Sequence, residues 1–576
     1  MQKQKSVTGK WIFKRIRVFI PYLLLLIAIV VTIAYIDVQF SLVSMTLIDT
    51  ATNQVDGSVK VAAVELIVLL IAQLILQLVY IRIHVSVSGK FSMNLRSELF
   101  YKLLSKDYSE VSKIHSGEIL NRLVSDVALL AEKTTEIIPN VFALFSTILF
   151  SFVALYRLDK QFALFCLCLG PLILIAAYIY KKKIKNLHIK CRESDGRVRS
   201  HLQETIQNFI VVKAFAKESL MQKKSESLQY ENYRLNIKRS VIGIISNILF
   251  FLAMTAGYYA ALAWGVYRLS IGTITFGTLT AMLSLVGQIQ SPFREVASLF
   301  PQSYMVIAST ERLIDLDNIK EDKIDVTLSK NDMDGFSKLV FSNVTFSYDD
   351  IDVLNGVDFS VEKGEFVALC GVSGAGKSTL SKIILSVIKP DSGRAYFVTD
   401  EKEIDFSAGT RRLFSYVPQG NLILSGTICD NITFCEEKPD LDKVVSAAKA
   451  AQIIDDINKM PDGFNTVLGE KGHGLSEGQV QRIAIARALY FDAPILLLDE
   501  ATSSLDIETE ERLLASIKSM TDKTCIIISH RQEVLNACDK TFILQNGSLK
   551  ELNNIPPRTI IDQISLKEEK NDKQNI

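Results

Sequence analysis

Nine consecutive residues in the second half of the chain carry its most specific chemistry: Gly371-Val372-Ser373-Gly374-Ala375-Gly376-Lys377-Ser378-Thr379. They follow the apolar run Phe366–Cys370 and precede a helical pattern, the strand–loop–helix setting in which a glycine-rich loop wraps phosphate. Glycines let successive backbone N–H groups turn toward an anion, and the helix start adds its partial positive charge. Lys377 is placed to neutralise the β- and γ-phosphates of a nucleotide, and the Ser378 hydroxyl to ligate Mg²⁺. A second apolar run, Ile495–Leu498, ends in the acid pair Asp499-Glu500. Asp499 suits Mg²⁺ held through water, and Glu500 suits polarisation of an attacking water. Two acids at a strand end can also do no more than cap a helix. Beside the glycine loop the chemical reading dominates, and ATP with Mg²⁺ is the expected ligand. A third run, Thr524–Ser529, ends in His530, which on its own fits a structural role as well as a chemical one.

Leu475-Ser476-Glu477-Gly478-Gln479 precedes the helical run Val480–Tyr490. Read locally it is a helix start, with Ser476 and Gln479 forming a capping box and Glu477 favourable in the first turn. It also resembles the signature motif of the ATP-binding cassette (ABC) family, and together with the glycine loop and the Asp499-Glu500 strand it makes the second half similar to that family's cassette. The resemblance extends to Tyr348 in Phe346-Ser-Tyr348, matching the aromatic that stacks on adenine, and to Gln419 in Val417-Pro-Gln419, matching the glutamine that senses Mg²⁺ and γ-phosphate. Ser504-Leu-Asp506 matches the D-loop, His530 the switch histidine, and Gly469-Glu470 resembles the exporter loop that touches the membrane domain. The resemblance implies that Tyr348, Gly371, Ser373, Gly374, Ala375, Gly376, Lys377, Ser378, Thr379, Gln419 and Asp499 bind ATP. It implies catalysis by Glu500, His530 and Gln419, and Mg²⁺ held by Ser378, Gln419 and Asp499. Ser476, Gly478, Gln479 and Asp506 would address the ATP held by a partner chain. One position departs from the pattern: Glu477 stands where the family usually has a glycine. A carboxylate facing a γ-phosphate would repel it, so Glu477 is expected to point outward.

What positions these residues differs between two unlike halves. The chain has 576 residues, 64 Lys+Arg against 63 Asp+Glu, and 48% hydrophobic residues, which excludes a disordered chain, a collagen-like repeat and a surface built throughout for nucleic acid. Eight cysteines without a CxxC pair form neither a disulfide framework nor a metal site. The mean hydropathy of +0.23 points to membrane-embedded sequence. Six apolar segments long enough to cross a bilayer lie at about 16–36, 61–83, 137–156, 162–180, 241–266 and 276–296. The first reads as a retained helix and not as a cleaved leader. The long connections keep apolar residues at helical spacing, such as Leu95, Leu99 and Leu103, so the membrane helices are expected to continue into the cytosol, with tips near Tyr108–Glu118 and Gln207–Lys217.

Lys and Arg crowd the N-terminus and every second connection, for example Lys181, Lys182, Lys183 and Lys185, which places those segments and the second half in the cytoplasm of a multi-pass cell-membrane protein. Within the apolar segments, Asp37 at the end of the first helix and Glu65, Gln73 and Gln77 on the second are the candidate polar contacts; interhelical hydrogen bonding is the competing role. The expected fold class is an all-α membrane domain of six helices with long cytosolic extensions (1–316), a linker (317–338), an α/β P-loop ATPase domain with a largely parallel sheet (339–557) and a charged tail (558–576) that reads as disordered. By resemblance this is an exporter-type half-transporter: an ATP-driven pump working by alternating access. It would partner a second half-transporter chain, membrane lipid and a small-molecule, lipid or peptide substrate, and no nucleic acid. An exporter-fold importer and a cassette-regulated membrane sensor or channel stay open as alternatives.

Overall fold

The structure, a computed structural model, describes residues 2–322, 328, 335–348, 351–372, 374–400, 402–420, 423–469, 474–520 and 523–552; for 2–6, 165–186, 188 and scattered positions between 246 and 300 it describes the backbone alone. Two units emerge: Met1–Leu104 with His115–Asn318, and Ser105–Ile114 with Ile319–Ile576. Half of the expected linker and the whole charged tail lie outside the described residues.

The first unit is helical throughout. A short α1 (Gln2–Ile16) leads into α2 (Ile20–Ala51) and α3 (Val59–Leu104). After α4 (Tyr108–Val111) in the second unit come α5 (Ser116–Asn121), a π-helical turn at Arg122–Asp126, and α6 (Val127–Leu158). Then follow α7 (Lys160–Gln207), α8 (Phe209–Ala214), α9 (Glu218–Ser270) and α10 (Phe276–Asp317). Among the described residues, Val7–Ala51, Val59–Leu104 and Ser116–Leu158 are long and apolar enough to cross a membrane. The fourth expected segment falls mostly on positions whose side chains lie outside the described residues, whereas α9 and α10 run unbroken through the fifth and sixth. The helix does not stop at Asp37, as the sequence suggests, but continues to Ala51. Ser44 and Thr50 return their hydroxyls to the carbonyls four residues back, at 2.7 Å each, so these polar residues satisfy themselves without breaking the helix. Likewise α10 keeps Pro292 and Pro301 inside it, a tolerance common in membrane helices.

Four acids, three of them buried, pin this bundle. Asp49 at the end of α2 accepts from Gly277 N (2.8 Å) and Thr275 Oγ1 (2.7 Å), capping α10 from outside. Asp126 takes the Arg312 Nε (2.8 Å) and the Ser309 hydroxyl (2.8 Å). Asp159 caps α7 and accepts from Trp264 Nε1 at 3.1 Å, with Arg268 at 3.3 Å. Asp317 gathers Trp11 (2.9 Å), Arg15 (2.9 Å) and Lys102 (3.0 Å). Asp126 and Asp159 are buried while their cationic partners reach solvent, so losing Arg312 or Arg268 would leave a buried charge unpaired.

The second unit contains β1 (Phe336–Tyr348), β2 (Ile351–Glu362), β3 (Phe366–Gly371), α11 (Lys377–Ile384), β4 (Ser392–Thr399), β5 (Glu403–Asp405) and β6 (Phe414–Val417). Next are β7 (Gly426–Thr427), α12 (Ile428–Thr433), α13 (Leu441–Ala450), α14 (Ile454–Asn458) and β8 (Val467–Leu468). The remainder is α15 (Glu477–Phe491), β9 (Ile495–Asp499), α16 (Ile507–Lys518), β10 (Thr524–Ile528), α17 (Gln532–Ala537), β11 (Lys540–Gln545) and β12 (Ser548–Glu551). The main sheet runs β12-β11-β3-β10-β9-β6, parallel except at the β12 edge. Alternation along its strands divides two cores: Val367, Leu369, Ile495, Leu497, Ile526 and Ile528 face one side, and Phe366, Leu496, Leu498, Cys525 and Ile527 the other. Each fully buried Leu or Ile contributes about 1.5–3 kcal/mol, so both faces hold the strand ends in place. A four-stranded antiparallel sheet, β2-β1-β4-β5, covers the first side. The tip Ser105–Ile114 joins this unit through Asp107 N to Lys320 O and Asp322 N to Ser105 O, both 2.9 Å.

Candidate nucleotide site

Register decides what meets at the site. Ile528 of β10 pairs with Leu369 of β3 and with Asp499 of β9, and Val417 of β6 pairs with Leu498. The glycine loop, Ser529-His530, Asp499-Glu500 and Gln419 therefore leave the same, carboxyl-terminal edge of one parallel sheet, where open α/β sheets bind their ligands.

The loop bends at Gly374 and Gly376, both with positive φ (77° and 102°). Gly376 is also the N-cap of α11, and a Cβ there would lie 2.9 Å from Val353 Cγ1, so space and conformation both demand glycine. Lys377 opens α11 and folds back, giving its ammonium to Gly371 O (2.7 Å) and Val372 O (3.1 Å). Ser378 is exposed beside it. Thr379 is buried and its N–H is bonded to Gly376 O at 3.0 Å, so it faces the core more than the loop's mouth. Ala375 packs on the core beneath. Ser373 and Glu470 lie outside the described residues.

Asp499 is buried and accepts from Ser381 Oγ at 3.0 Å. Burial holds its carboxyl above the usual range; the Ser381 bond and Lys377 pull it down, while the Glu500 charge pushes it up. Glu500 has φ of 49°, an uncommon conformation for its type that is held by its N–H bonding Ile528 O at 3.0 Å. Its Oε2 accepts from the Gln419 amide at 2.5 Å, which leaves the amide oxygen of Gln419 for a cation. Ser378, Gln419 and Asp499 thus offer oxygen donors alone, a set that fits Mg²⁺. His530 is exposed just past β10, and Tyr348 presents a 44% exposed ring at the end of β1, braced edge-on by Phe346 at 4.9 Å.

Ser476 caps α15, and the capping box is present in both directions: Gln479 N to Ser476 Oγ at 3.3 Å and Ser476 N to Gln479 Oε1 at 2.9 Å. Gln479 also reaches Asp456 at 3.2 Å, so within its own chain it is a framework residue. Asp506 caps α16 through Thr509 N (2.9 Å), and that backbone bond lowers its carboxyl below the usual range. Glu477 and Gly478 are not equivalent. Glu477 is exposed, whereas a Cβ on Gly478 would come 3.0 Å from Ser504 O and 3.4 Å from Leu505 Cδ2. Only the second position must be glycine for the helix start to approach the Ser503–Asp506 loop.

Three side chains that sequence reasoning passed over complete this wiring. Gln481, one turn into α15, bonds Ser503 Oγ (3.1 Å), Ser504 Oγ (3.3 Å) and Ser504 N (3.1 Å). Arg531, next to His530, donates to Thr502 O (2.8 Å) and Leu505 O (2.9 Å). Its Nε faces the fully buried Glu510 at 3.3 Å. Gln481 and Arg531 follow motifs directly, and a polar residue one turn into a capped helix or beside a strand-end histidine was the available clue.

Comparisons with known proteins point one way. The profile of the ABC transporter transmembrane region matches residues 19–293, and that of the ABC transporter cassette matches 354–503. An ABC transporter ATP-binding protein, YfiB, of Bacillus subtilis (strain 168) is 30% identical over 485 residues, covering 81% of this chain and 81% of that protein. An ATP-dependent lipid A-core flippase of Desulfotalea psychrophila is 28% identical over 559 residues, 95% of this chain and 96% of the other. ABC transporter B family member 1 of Dictyostelium discoideum is 30% identical over 80% of this chain, which spans about half of that longer protein (51%). In three dimensions the chain is similar to a bacterial Atm1-family ABC exporter with ATP bound, with a TM-score of 0.78 and 24% identity over 98% of this chain and 99% of that one.

Proposed function

The chain belongs to the ABC transporter family as an exporter-type half-transporter, and we propose that it works with a second half-transporter chain to move an amphipathic substrate across a cell membrane at the expense of ATP. The observation that carries this reading is the convergence of Lys377, Asp499-Glu500, Gln419 and His530 on one sheet edge, in a chain that also holds membrane-length apolar helices. The basic N-terminus and basic alternate connections favour a cytoplasmic cassette. The relatives named as lipid A-core flippases favour a lipid or lipid-like cargo, with hydrophobic drugs and peptides as the other amphipathic classes.

In this reading Tyr348 stacks on adenine, the loop N–H groups and Lys377 take the phosphates, and Ser378, Gln419 and Asp499 hold Mg²⁺. The metal would neutralise phosphate charge. Glu500 accepts the proton of the attacking water, with Gln419 fixing its carboxylate in the resting site. Ser476 and Gly478 of one chain close over the nucleotide of the other, so a single chain cannot complete a site. Hydrolysis and phosphate release reopen the pair, and the tips near Tyr108–Glu118 and Gln207–Lys217 carry that motion to the membrane helices. The test is ATPase activity of the full chain in proteoliposomes during a screen of amphipathic compounds. Stimulation supports coupled transport; a rate indifferent to every lipid, drug and peptide supports the sensor or channel alternative.

Three predictions arise from the signature helix and its neighbours. Gly478→Ala forces the Ser504 carbonyl aside and is expected to lower kcat by about tenfold or more, since small misplacements at a reacting centre are costly. Glu477→Gly removes an exposed charge near a helix start and is expected to change the rate by no more than about fivefold; a large gain would show that the glutamate impairs the site. Arg531→Lys keeps a positive charge beside Glu510 but cannot answer Glu510 through one nitrogen while a second, Nη1, donates to both Thr502 O and Leu505 O. Its expected signature is a fall in kcat with KM for ATP little changed, and a matching fall in ATP affinity would mean that Arg531 acts on binding instead.

A further inference from the structure

Among the described residues of the membrane unit, Asp37 is the inward acid whose charge is left unanswered. Asp49, Asp126, Asp159 and Asp317 each collect two or more donors, and the last three include Arg or Lys. Asp37 accepts a single side-chain hydrogen bond, from Gln73 Nε2 to Oδ1 at 2.8 Å, and no Lys or Arg among the described residues pairs with it. Glu65 also lacks a partner there, but it is exposed and sits only six residues into α3.

Asp37 is embedded in a polar network drawn from four helices. Gln288 of α10 donates to Asp37 O (2.9 Å) and Ser41 Oγ (3.0 Å) and accepts from Ser151 Oγ of α6 (2.9 Å). Ser41 and Ser284 share a hydrogen bond of 2.7 Å. Every donor of Gln288 and Ser151 is thus used on another acceptor, and none is aimed at the carboxylate. Depth is consistent across the helices when counted from the end they share: at 1.5 Å per residue, Asp37 lies about 21 Å before the Ala51 end of α2, Gln73 about 21 Å after the start of α3 and Gln288 about 18 Å after the start of α10. Both Asp37 and Gln73 are half-buried, so the carboxylate is framed by the bundle yet reachable.

An ionised carboxylate at such depth is expensive unless a positive charge answers it, and an intramembrane acid is retained where something uses it. We propose that Asp37, oriented by Gln73, is the counter-ion for a monovalent lipophilic cation, an ammonium or onium group, bound within the membrane domain. This rests on the transporter reading and names the cargo's charge: the cationic end meets Asp37. A single carboxylate backed by amides and hydroxyls suits a bulky, weakly hydrated cation, which needs charge compensation more than a tight set of ligands.

The probes are tetraphenylphosphonium and tetraphenylborate, which have nearly the same shape and opposite charge. Binding of each to the full-length protein in proteoliposomes is measured by equilibrium dialysis without ATP, so the result does not depend on cassette chemistry. The wild type is expected to prefer the phosphonium over the borate, after correction for empty vesicles, by about tenfold or more, given a Coulomb term of several kcal/mol at close range. Asp37→Asn should abolish that preference while hydrophobic binding of both ions persists, and Asp37→Glu should restore part of it. Equal affinity for the two ions in the wild type, or an undiminished preference in Asp37→Asn, overturns the proposal. Full ATPase activity in Glu500→Gln would instead count against the cassette reading, leaving the ion preference to be judged by itself.

Discussion

Glu500→Gln is expected to reduce ATP turnover by about 10²–10⁴-fold, the contribution of a positioned general base. The substitution keeps size and shape, so β9 and the N–H bond from residue 500 to Ile528 should survive. What changes is proton affinity: an amide cannot take the proton of the attacking water. The Gln419 amide would then face an amide oxygen in place of a carboxylate, still an acceptor, so nucleotide binding should persist and particles should accumulate in an ATP-closed state. Steady-state phosphate release and ATP retention after gel filtration measure the two halves of this expectation. Near-normal hydrolysis would remove Glu500 from the base role.

The second large effect is expected from Lys377→Ala. The ammonium already sits on Gly371 O and Val372 O, held over the loop by that loop's own carbonyls. Phosphate oxygens would replace those carbonyls at little cost in side-chain order, because the lysine is already gathered into the loop. Hydrogen bonds to charged groups are worth about 1.5–3 kcal/mol each, so losing them should weaken ATP binding by about 10- to 100-fold or more. Titration with a fluorescent ATP analogue separates this from the Glu500 variant, in which affinity is retained. Unchanged affinity in Lys377→Ala would mean that the loop N–H groups alone hold the phosphates.

The division between what could be read in advance and what could not follows from chain distance. Phe366–Cys370, Ile495–Leu498 and Cys525–Ile528 are unbroken apolar runs because both sheet faces are buried, and the residues that follow them stand at the strand ends whatever the rest of the fold does. The Ser476–Gln479 capping box is a three-residue relation and was visible for the same reason. The second, antiparallel sheet leaves a weak sequence pattern because β1, β2 and β4 carry register shifts and are only half buried, so their alternation is irregular. The charge of Asp37 reads locally as a helix end; the glutamine 36 residues away that accommodates it has no local trace. Gln481, Arg531 and Glu510 belong to contacts between separate motifs, which spacing along the chain does not encode.

A nucleotide site completed by two chains is the premise on which the transport cycle stands. Lys377→Ala and Ser476→Arg subunits, each inactive alone, can be co-expressed with different affinity tags and purified in tandem so that every particle contains one of each. If the signature serves the partner's nucleotide, both lesions fall in one composite site and the other is intact. The mixed particles should then hydrolyse ATP well above either parent. If each chain builds its own site, both sites are damaged, and mixed particles no more active than the parents would contradict the account.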